Sequence, residues 1–269
     1  MAAIRVGVIQ MTSTADLPAN LASARALVGA AAERGAQLIA LPENFAYLRR
    51  EGEPIPCAQG LDGEIVETVC ELASRHRVPI LAGTFAETIE GDHRVYNTSA
   101  LISETGRIAA VYRKIHLFDV DLGESGGVFR ESAFTAPGEE VVVAETAFGK
   151  VGLSVCYDVR FPELYREMAA RGADWITLPS AFAPETGKAH WEILLRARAI
   201  ENQAFVLAPA QCGRHSPDRA SHGRSLIVDP WGRILAEAGD EPAIVVADCD
   251  LDELRRVRDS LPALRHRRL

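Results

Sequence analysis

The sequence predicts an α/β protein built in four layers, αββα, with helices outside and two sheets inside. Three observations predict it. Short Val- and Ile-rich runs alternate with helical patterns along the whole chain, hairpin-like pairs interrupt that alternation at 94–114, 141–156 and 223–237, and no linker, low-complexity tract or short repeat divides it. The hairpins break the strict βα rhythm that an eight-fold barrel needs. Crossovers mixed with hairpins imply mixed sheets with helices on their outer faces. The 269 residues therefore read as one domain, 1–269.

The elements follow in order. Residues 4–11 read as a buried strand. Asp16 is placed to cap a helix with Pro18 in its first turn, and the Ala/Leu face runs to Arg34 before Gly35 stops it. A strand over 37–42 ends in the polar residues Glu43 and Asn44, a helix follows over 63–76, and a strand over 79–87. Residues 94–103 and 106–114 form a hairpin around Glu104-Thr105-Gly106. A loop rich in Gly and acidic residues spans 119–140, after which 141–146 and 150–156 pair across Phe148-Gly149. The second half has the same texture: helix 162–171, strand 175–178, helix 188–202, strands 204–210, 223–229, 233–237 and 243–249, and a closing helix from Asp252. The turn Asp229-Pro230-Trp231-Gly232 joins two of these strands.

Composition narrows the function classes. With 29 Lys+Arg against 37 Asp+Glu, the chain carries −8, which argues against a general binder of phosphate backbones. Only the tail, with Arg255, Arg256, Arg258, Arg265, Arg267 and Arg268, is basic, and it reads as a solvated helix face. No apolar run approaches the ~20 residues that span a bilayer, so no membrane partner is expected. The opening MAAIRVGVIQMTS lacks a signal-like apolar region and cleavage site. Five scattered cysteines without a CxxC make a disulfide framework improbable and a reducing, cytoplasmic compartment the expectation.

Chemistry enters at the strand ends. Cys156 follows the apolar run 151–155 and precedes Tyr157-Asp158-Val159-Arg160-Phe161-Pro162. Such a strand-to-helix junction puts a side chain at a sheet edge, where ligands gather in α/β folds. The plain alternative is a buried small hydrophobe, the commonest fate of a free cysteine. An unassisted thiol is only about 3% thiolate at neutral pH, so a catalytic cysteine needs a base or a positive charge beside it. Glu43 and Lys114 end two other apolar strands and would supply both. Each alone reads as a surface charge or a cap. Three such residues at three strand ends point to a shared site.

Leu41-Pro42-Glu43-Asn44-Phe45, the run 112–119 with Lys114 and His116, and the run 152–164 with Cys156 resemble the three signature blocks of the nitrilase superfamily of carbon–nitrogen hydrolases. The resemblance spans essentially the whole chain, in order and spacing. It implies the four-layer sandwich and a homodimer or higher homo-oligomer, with the tail 251–269 at the interface. It also implies roles: Glu43 as general base, Cys156 as the nucleophile that forms a thioester, and Lys114 with the backbone N–H of Tyr157 as oxyanion donors. Glu131 matches a second glutamate that orients the lysine or the leaving amine. Residues 179–202 and the stretch 210–215 resemble the Nit-type branch that holds ω-amidases and deaminated-glutathione amidases, and the latter more closely. The expected substrate is then a small α-keto-acid amide, with water as second substrate and no cofactor or metal. Arg160 is the candidate carboxylate clamp, and Phe182 and Thr186 are pocket contacts by family similarity. Glu185, before Thr186, departs from the family pattern. Alternatives are the ω-amides of α-keto acids, a nitrile, carbamoyl or aliphatic amide substrate, and a non-catalytic binding member.

Other signals carry less. Cys212-x-x-His215 with His222 falls short of a closed tetrahedral metal set. A Cys156–His dyad through His116 or His190 lacks a supporting context. The glycines of 123–127 do not sit between a strand and a helix in the dinucleotide pattern. Trp175, Trp191 and Trp231 read as core or interface residues. An enzyme at −8 that takes an anionic keto acid must gather positive charge locally, and Lys114 with Arg160 is the expected place.

Overall fold

In a computed structural model, which describes residues 3–50, 52–123 and 127–268, side-chain parity along the strands sorts the chain into its layers. Strand β1 (Ile4–Gln10) sends Val6 and Val8 to one apolar cluster and Ile9 to another. Ile9 shares its cluster with Leu21, Ala24 and Val28 of α1 (Leu17–Glu33) and Val66, Val69 and Leu72 of α2 (Glu64–His76). Val6 and Val8 share a cluster with Val151, Leu153 and Trp175 of the second sheet. Successive strand side chains point to opposite faces, so one strand touches a helix layer and a facing sheet at once. That is the αββα sandwich. Asp16 caps α1 by accepting from the Ala19 N–H at 3.0 Å, and Gly35 ends it at φ +80°.

The first sheet runs β18 (Ala243–Cys249), β1, β2 (Leu38–Ala40), β3 (Ile80–Leu81), β5 (Val95–Ile102) and β4 (Phe85–Thr88), with β6 (Ile108–Arg113) and β9 (Thr135–Ala136) also on β5. The second runs β10 (Val143–Thr146), β11 (Gly149–Leu153), β12 (Trp175–Thr177), β13 (Phe205–Ala208), β16 (Leu226–Val228) and β17 (Ile234–Glu237). Each has three parallel strands at its centre, β1-β2-β3 and β11-β12-β13, joined through helices. In the second sheet those helices are α3 (Pro162–Ala170) and α4 (Pro184–Asn202). Parallel pairs need such crossovers; β4, β10 and β17 pair as hairpins with β5, β11 and β16, while β18 pairs antiparallel with β1. The closing helix α5 is Leu251–Ser260.

Four local expectations differ from the structure. The strand expected over 79–87 is two strands, β3 and β4, broken where Gly83 turns at φ +44°. A Cβ on Gly83 would lie 2.0 Å from the Pro42 carbonyl oxygen, so the chain passes too close there to continue as a strand. The loop 119–140 contains a short hairpin, β7 (Asp119–Asp121) with β8 (Val128–Arg130), and then a 3₁₀ turn over Glu131–Ala133. Part of the glycine-rich stretch 123–127, residues 124–126, lies outside the described residues. The segment after β13 forms a hairpin, β14 (Cys212–Ser216) with β15 (Arg219–His222), that the sequence pattern does not signal. Helix α4 starts at Pro184, four residues before the predicted 188, because proline is preorganised for a first helical turn.

Candidate active site

Glu43, Lys114 and Cys156 leave three strand ends at one place between the sheets. Glu43 follows β2, whose path is extended when the Leu41 N–H bonds to Leu81 O at 3.0 Å. Asn44 then turns the chain at φ +54°, and its N–H donates to Thr84 Oγ1 at 2.8 Å. Lys114 follows β6 and stays tied to the sheet, its N–H on Asn97 O at 2.9 Å. Cys156 opens a 3₁₀ turn over Cys156–Arg160 just beyond β11, at φ +47°, with its N–H on Pro179 O at 3.0 Å. A non-glycine residue in that region costs roughly 1–2 kcal/mol, so the surroundings must impose it.

The three side chains are almost out of solvent: Glu43 is 4% exposed, Lys114 2% and Cys156 8%. Lys114 Nζ donates to Glu43 Oε1 at 3.2 Å and to both Glu131 oxygens at 3.0 and 2.8 Å. Asn97 Nδ2 bridges the same two carboxylates, at 2.9 Å to Glu43 Oε1 and 3.3 Å to Glu131 Oε1. The Ala181 N–H holds the other Glu43 oxygen at 2.7 Å, and the Phe118 N–H holds Glu131 Oε2 at 2.6 Å. Both carboxylates and the ammonium of the cluster are thus held by hydrogen bonds before a ligand arrives, while Asn97 Oδ1 is buried without a partner among the described residues.

The electrostatics follow from burial. Desolvation pulls Lys114 toward neutrality, but Glu131, Glu43 and Cys156 together outweigh it and hold the ammonium well above its ordinary range. Desolvation, then the negative Glu43, push the Cys156 thiol well above the usual thiol range against the opposing pull of Lys114. The resting site therefore holds a thiol beside a charged lysine. The proton leaves the sulfur only when an acceptor draws it off during attack.

Beneath the cysteine lies Asp158, fully buried. Its Oδ2 accepts from Tyr112 OH at 2.7 Å and Val155 N–H at 2.8 Å, and its Oδ1 from His116 N–H at 3.1 Å. His116 Nδ1 lies 2.7 Å from the same Oδ1, and its ring stacks on Phe161 at 3.7 Å. One carboxylate so ties the strand end that carries Lys114 to the turn that carries Cys156. The ring of His116 serves this junction, and His190 Nδ1 lies 3.3 Å from Arg160 Nη1.

Glu43, Asn97, Lys114, Glu131 and Cys156 line a cavity that opens to solvent. Of the residues singled out in the sequence, Glu43, Lys114, Glu131, Cys156, Tyr157, Phe182 and Thr186 line it. Arg160 does not: its guanidinium lies over the rings of Phe182 and Tyr157, at 5.3 and 5.8 Å from their centres, an attraction that turns it aside. Sequence reasoning passed over Asn97, Asp158, Arg49 and Arg219. Asn97 stands beside Thr98 and Ser99, which leave it no signal of its own, and Asp158 stands inside the cysteine block. Arg49 and Arg219 both line the cavity and lie 170 positions apart, with no pattern to join them. The residues once weighed as metal ligands are engaged elsewhere: His215 meets Ser13 O and Ser221 Oγ, both at 2.8 Å, and Cys212 Sγ lies 3.5 Å from Thr12 Oγ1.

Comparison with known proteins agrees with this geometry. A family model for carbon–nitrogen hydrolases matches residues 5–259. A Synechocystis protein named deaminated glutathione amidase is 45% identical over 96% of each chain. The human protein of the same name is 43% identical over 98% of this chain and 82% of its own. Among solved structures, the Caenorhabditis elegans NitFhit protein superposes with a TM-score of 0.92 at 40% identity, covering all of this chain and 66% of that one.

Proposed function

The chain belongs to the carbon–nitrogen hydrolase family, and from that premise we propose that it is a thiol amidase acting on deaminated glutathione through Glu43, Lys114 and Cys156. It is a hydrolase of carbon–nitrogen bonds other than peptide bonds. The observation that carries the finer reading is the gathering of Glu43, Lys114 and Cys156, all three buried, on the wall of one cavity. The names of its relatives at 43–45% identity support the substrate.

In this reading Glu43 takes the Cys156 proton as sulfur attacks the amide carbonyl. The oxyanion forms beside Lys114 Nζ and the Tyr157 N–H, donors fixed before the reaction. Collapse of the tetrahedral adduct breaks the C–N bond, and the amine departs with the proton that Glu43 returns. The acyl group stays on sulfur as a thioester. Water then gives its proton to Glu43 and attacks the thioester, and the acid leaves as the thiol is restored. Glu131 and Asn97 keep Lys114 and Glu43 aimed throughout. Because the thiol is pushed up, the thiolate exists only in the attacking geometry, which limits oxidation of the resting enzyme.

The protein is further read as a cytoplasmic homodimer. The five free cysteines support a reducing compartment. An apolar patch supports the dimer: Ile193 and Ile200 stand exposed on α4, and Trp231, Leu235 and Leu261 are exposed as well. The Trp231 turn abuts α4, since Arg196 Nε donates to Gly232 O at 2.9 Å. The tail 251–269 adjoins this face, with Arg233 Nη1 3.7 Å from Glu253.

The test is ammonia or amine release across deaminated glutathione, α-ketoglutaramate, a nitrile and an N-carbamoyl amino acid. Deaminated glutathione should give the highest kcat/KM, and Cys156→Ala should abolish turnover. Unchanged activity in Cys156→Ala would end the covalent reading.

A further inference from the structure

The loop between β12 and α4 serves both the nucleophile and the base. Pro179 O accepts from the Cys156 N–H at 3.0 Å, and the Ala181 N–H donates to Glu43 Oε2 at 2.7 Å. The same Ala181 N–H favours the ionised sulfur, against the rise that burial and Glu43 impose on the thiol. Elsewhere the loop is tied away from the cysteine: the Ser180 N–H is on Pro209 O at 3.0 Å, and Phe182 O accepts from the His222 N–H at 2.8 Å. The turn Cys156–Arg160 is anchored on other partners. Its Asp158 accepts from Tyr112 OH and the His116 N–H, and Val159 O accepts from Arg198 Nε at 2.9 Å. Turn and loop are therefore held by separate parts of the fold, and attack requires them in register.

Arg160 spans the gap between them. It ends the turn, and its guanidinium lies 5.8 Å from the centre of the Tyr157 ring and 5.3 Å from that of Phe182, one ring from the turn and one from the loop. Both rings line the cavity and Arg160 does not, so the cation sits behind them. Its Nη1 lies 3.3 Å from His190 Nδ1 on α4, the helix whose Trp191 packs on Phe182 at 5.2 Å between ring centres. A guanidinium within about 6 Å of an aromatic face attracts it, and one that holds two rings draws their segments together. We infer that Arg160 is a positioning residue: from outside the cavity it fixes the Cys156–Arg160 turn against the loop 179–182, and so sets the Cys156 thiol and the Tyr157 N–H against Glu43. This rests on the thiol-amidase reading, in which those three groups act together. Arg160 acts here without touching the substrate, so its effect belongs to the rate of attack and not to binding.

The experiment compares wild type, Arg160→Met and Arg160→Lys, each at a temperature where calorimetry shows it fully folded. Two quantities are read: kcat and KM on the amide that wild type turns over fastest, and the rate at which iodoacetamide alkylates Cys156, located by peptide mass spectrometry. Methionine keeps much of the side chain's reach without its charge. In Arg160→Met, kcat and the alkylation rate should both fall by about 10- to 100-fold, since a reacting group displaced by about 1 Å can lose on the order of 10²-fold, while KM stays within about three-fold. Arg160→Lys keeps a cation without the flat face and should show the same split at smaller size. A kcat within about two-fold of wild type in both variants overturns the inference and leaves the thiol-amidase reading intact. A loss confined to KM overturns it in favour of a direct hold on a substrate carboxylate. A lower Tm with kcat and alkylation rate unchanged overturns it in favour of a merely structural role. Wild type that turns over no amide of the panel overturns the reading, and the inference with it.

Discussion

Replacing Asp158 by Asn tests whether the junction under Cys156 positions the nucleophile or merely fills space. The carboxylate accepts from four groups: Tyr112 OH, the Val155 N–H, the His116 N–H and His116 Nδ1. Asn has nearly the same shape but exchanges one acceptor for a donor. If its amide nitrogen faces His116, the imidazole can adapt by changing tautomer, but the His116 backbone N–H cannot. If it faces the other way, Tyr112 can rotate its hydroxyl, but the Val155 N–H cannot. Either way one buried backbone donor loses a charged acceptor, a cost of about 1.5–3 kcal/mol. For a chain of this size that corresponds to a fall in Tm of roughly 3–10 °C. Asp158→Ala removes all four acceptor contacts and should cost about 3–5 kcal/mol.

Activity should fall further than stability alone explains. Cys156 sits at φ +47°, a conformation it leaves if its surroundings loosen. A displacement of about 1 Å in a reacting group can cost on the order of 10²-fold. Asp158→Asn should therefore lower kcat by about that factor at a temperature where the variant is fully folded, with a smaller change in KM. Scanning calorimetry and steady-state kinetics on the same preparation check both numbers. A variant with Tm within 1 °C and kcat within two-fold of wild type would refute the reasoning outright. A lower Tm with kcat intact would refute the positioning role.

Two further outcomes follow from local geometry. The His215 pKa is held down to about 4, chiefly by burial, with Arg219 opposing its charge against the favourable bond to Ser13. The unfolded chain, at about 6.5, binds the proton more readily, so stability is full above about pH 6.5 and is lost as pH falls through about 4, by about 3 kcal/mol. His215→Gln should flatten urea-derived stability across that window, and a slope identical to wild type would exclude His215 as its source. Gly83→Ala puts a methyl 2.0 Å from Pro42 O at a residue with φ +44°, so it should cost about 3 kcal/mol or more and lower kcat by shifting Glu43. Thermal unfolding within 2 °C of wild type would show that the two segments do not approach so closely.

What could be read from the sequence follows a physical rule. Glu43, Lys114 and Cys156 each end an apolar run, and strand ends of one sheet system lie along one lip, so their meeting was legible from position. Asn97 and Asp158 were not legible, because their partners lie 54 and 46 positions away in Glu43 and Tyr112. The hairpin Cys212–Ser216 with Arg219–His222 escaped because Gly213, Arg214 and His215 lack the alternation that marks a strand. The break at Gly83 escaped because its cause, the carbonyl of Pro42, lies in another strand.

Arg160 shows the limit more sharply than any missed element. It stands four positions after Cys156, but spacing carries no direction. Two aromatic rings and His190 decide where the guanidinium lies, and they turn it off the cavity wall. The charge argument survives that change and becomes stricter. Lys114 is matched twice over by Glu43 and Glu131, so it cannot also serve as the counter-ion of a substrate carboxylate without giving up an interaction that aims it. A carboxylate on a ligand of this cavity would therefore need a cation other than Lys114.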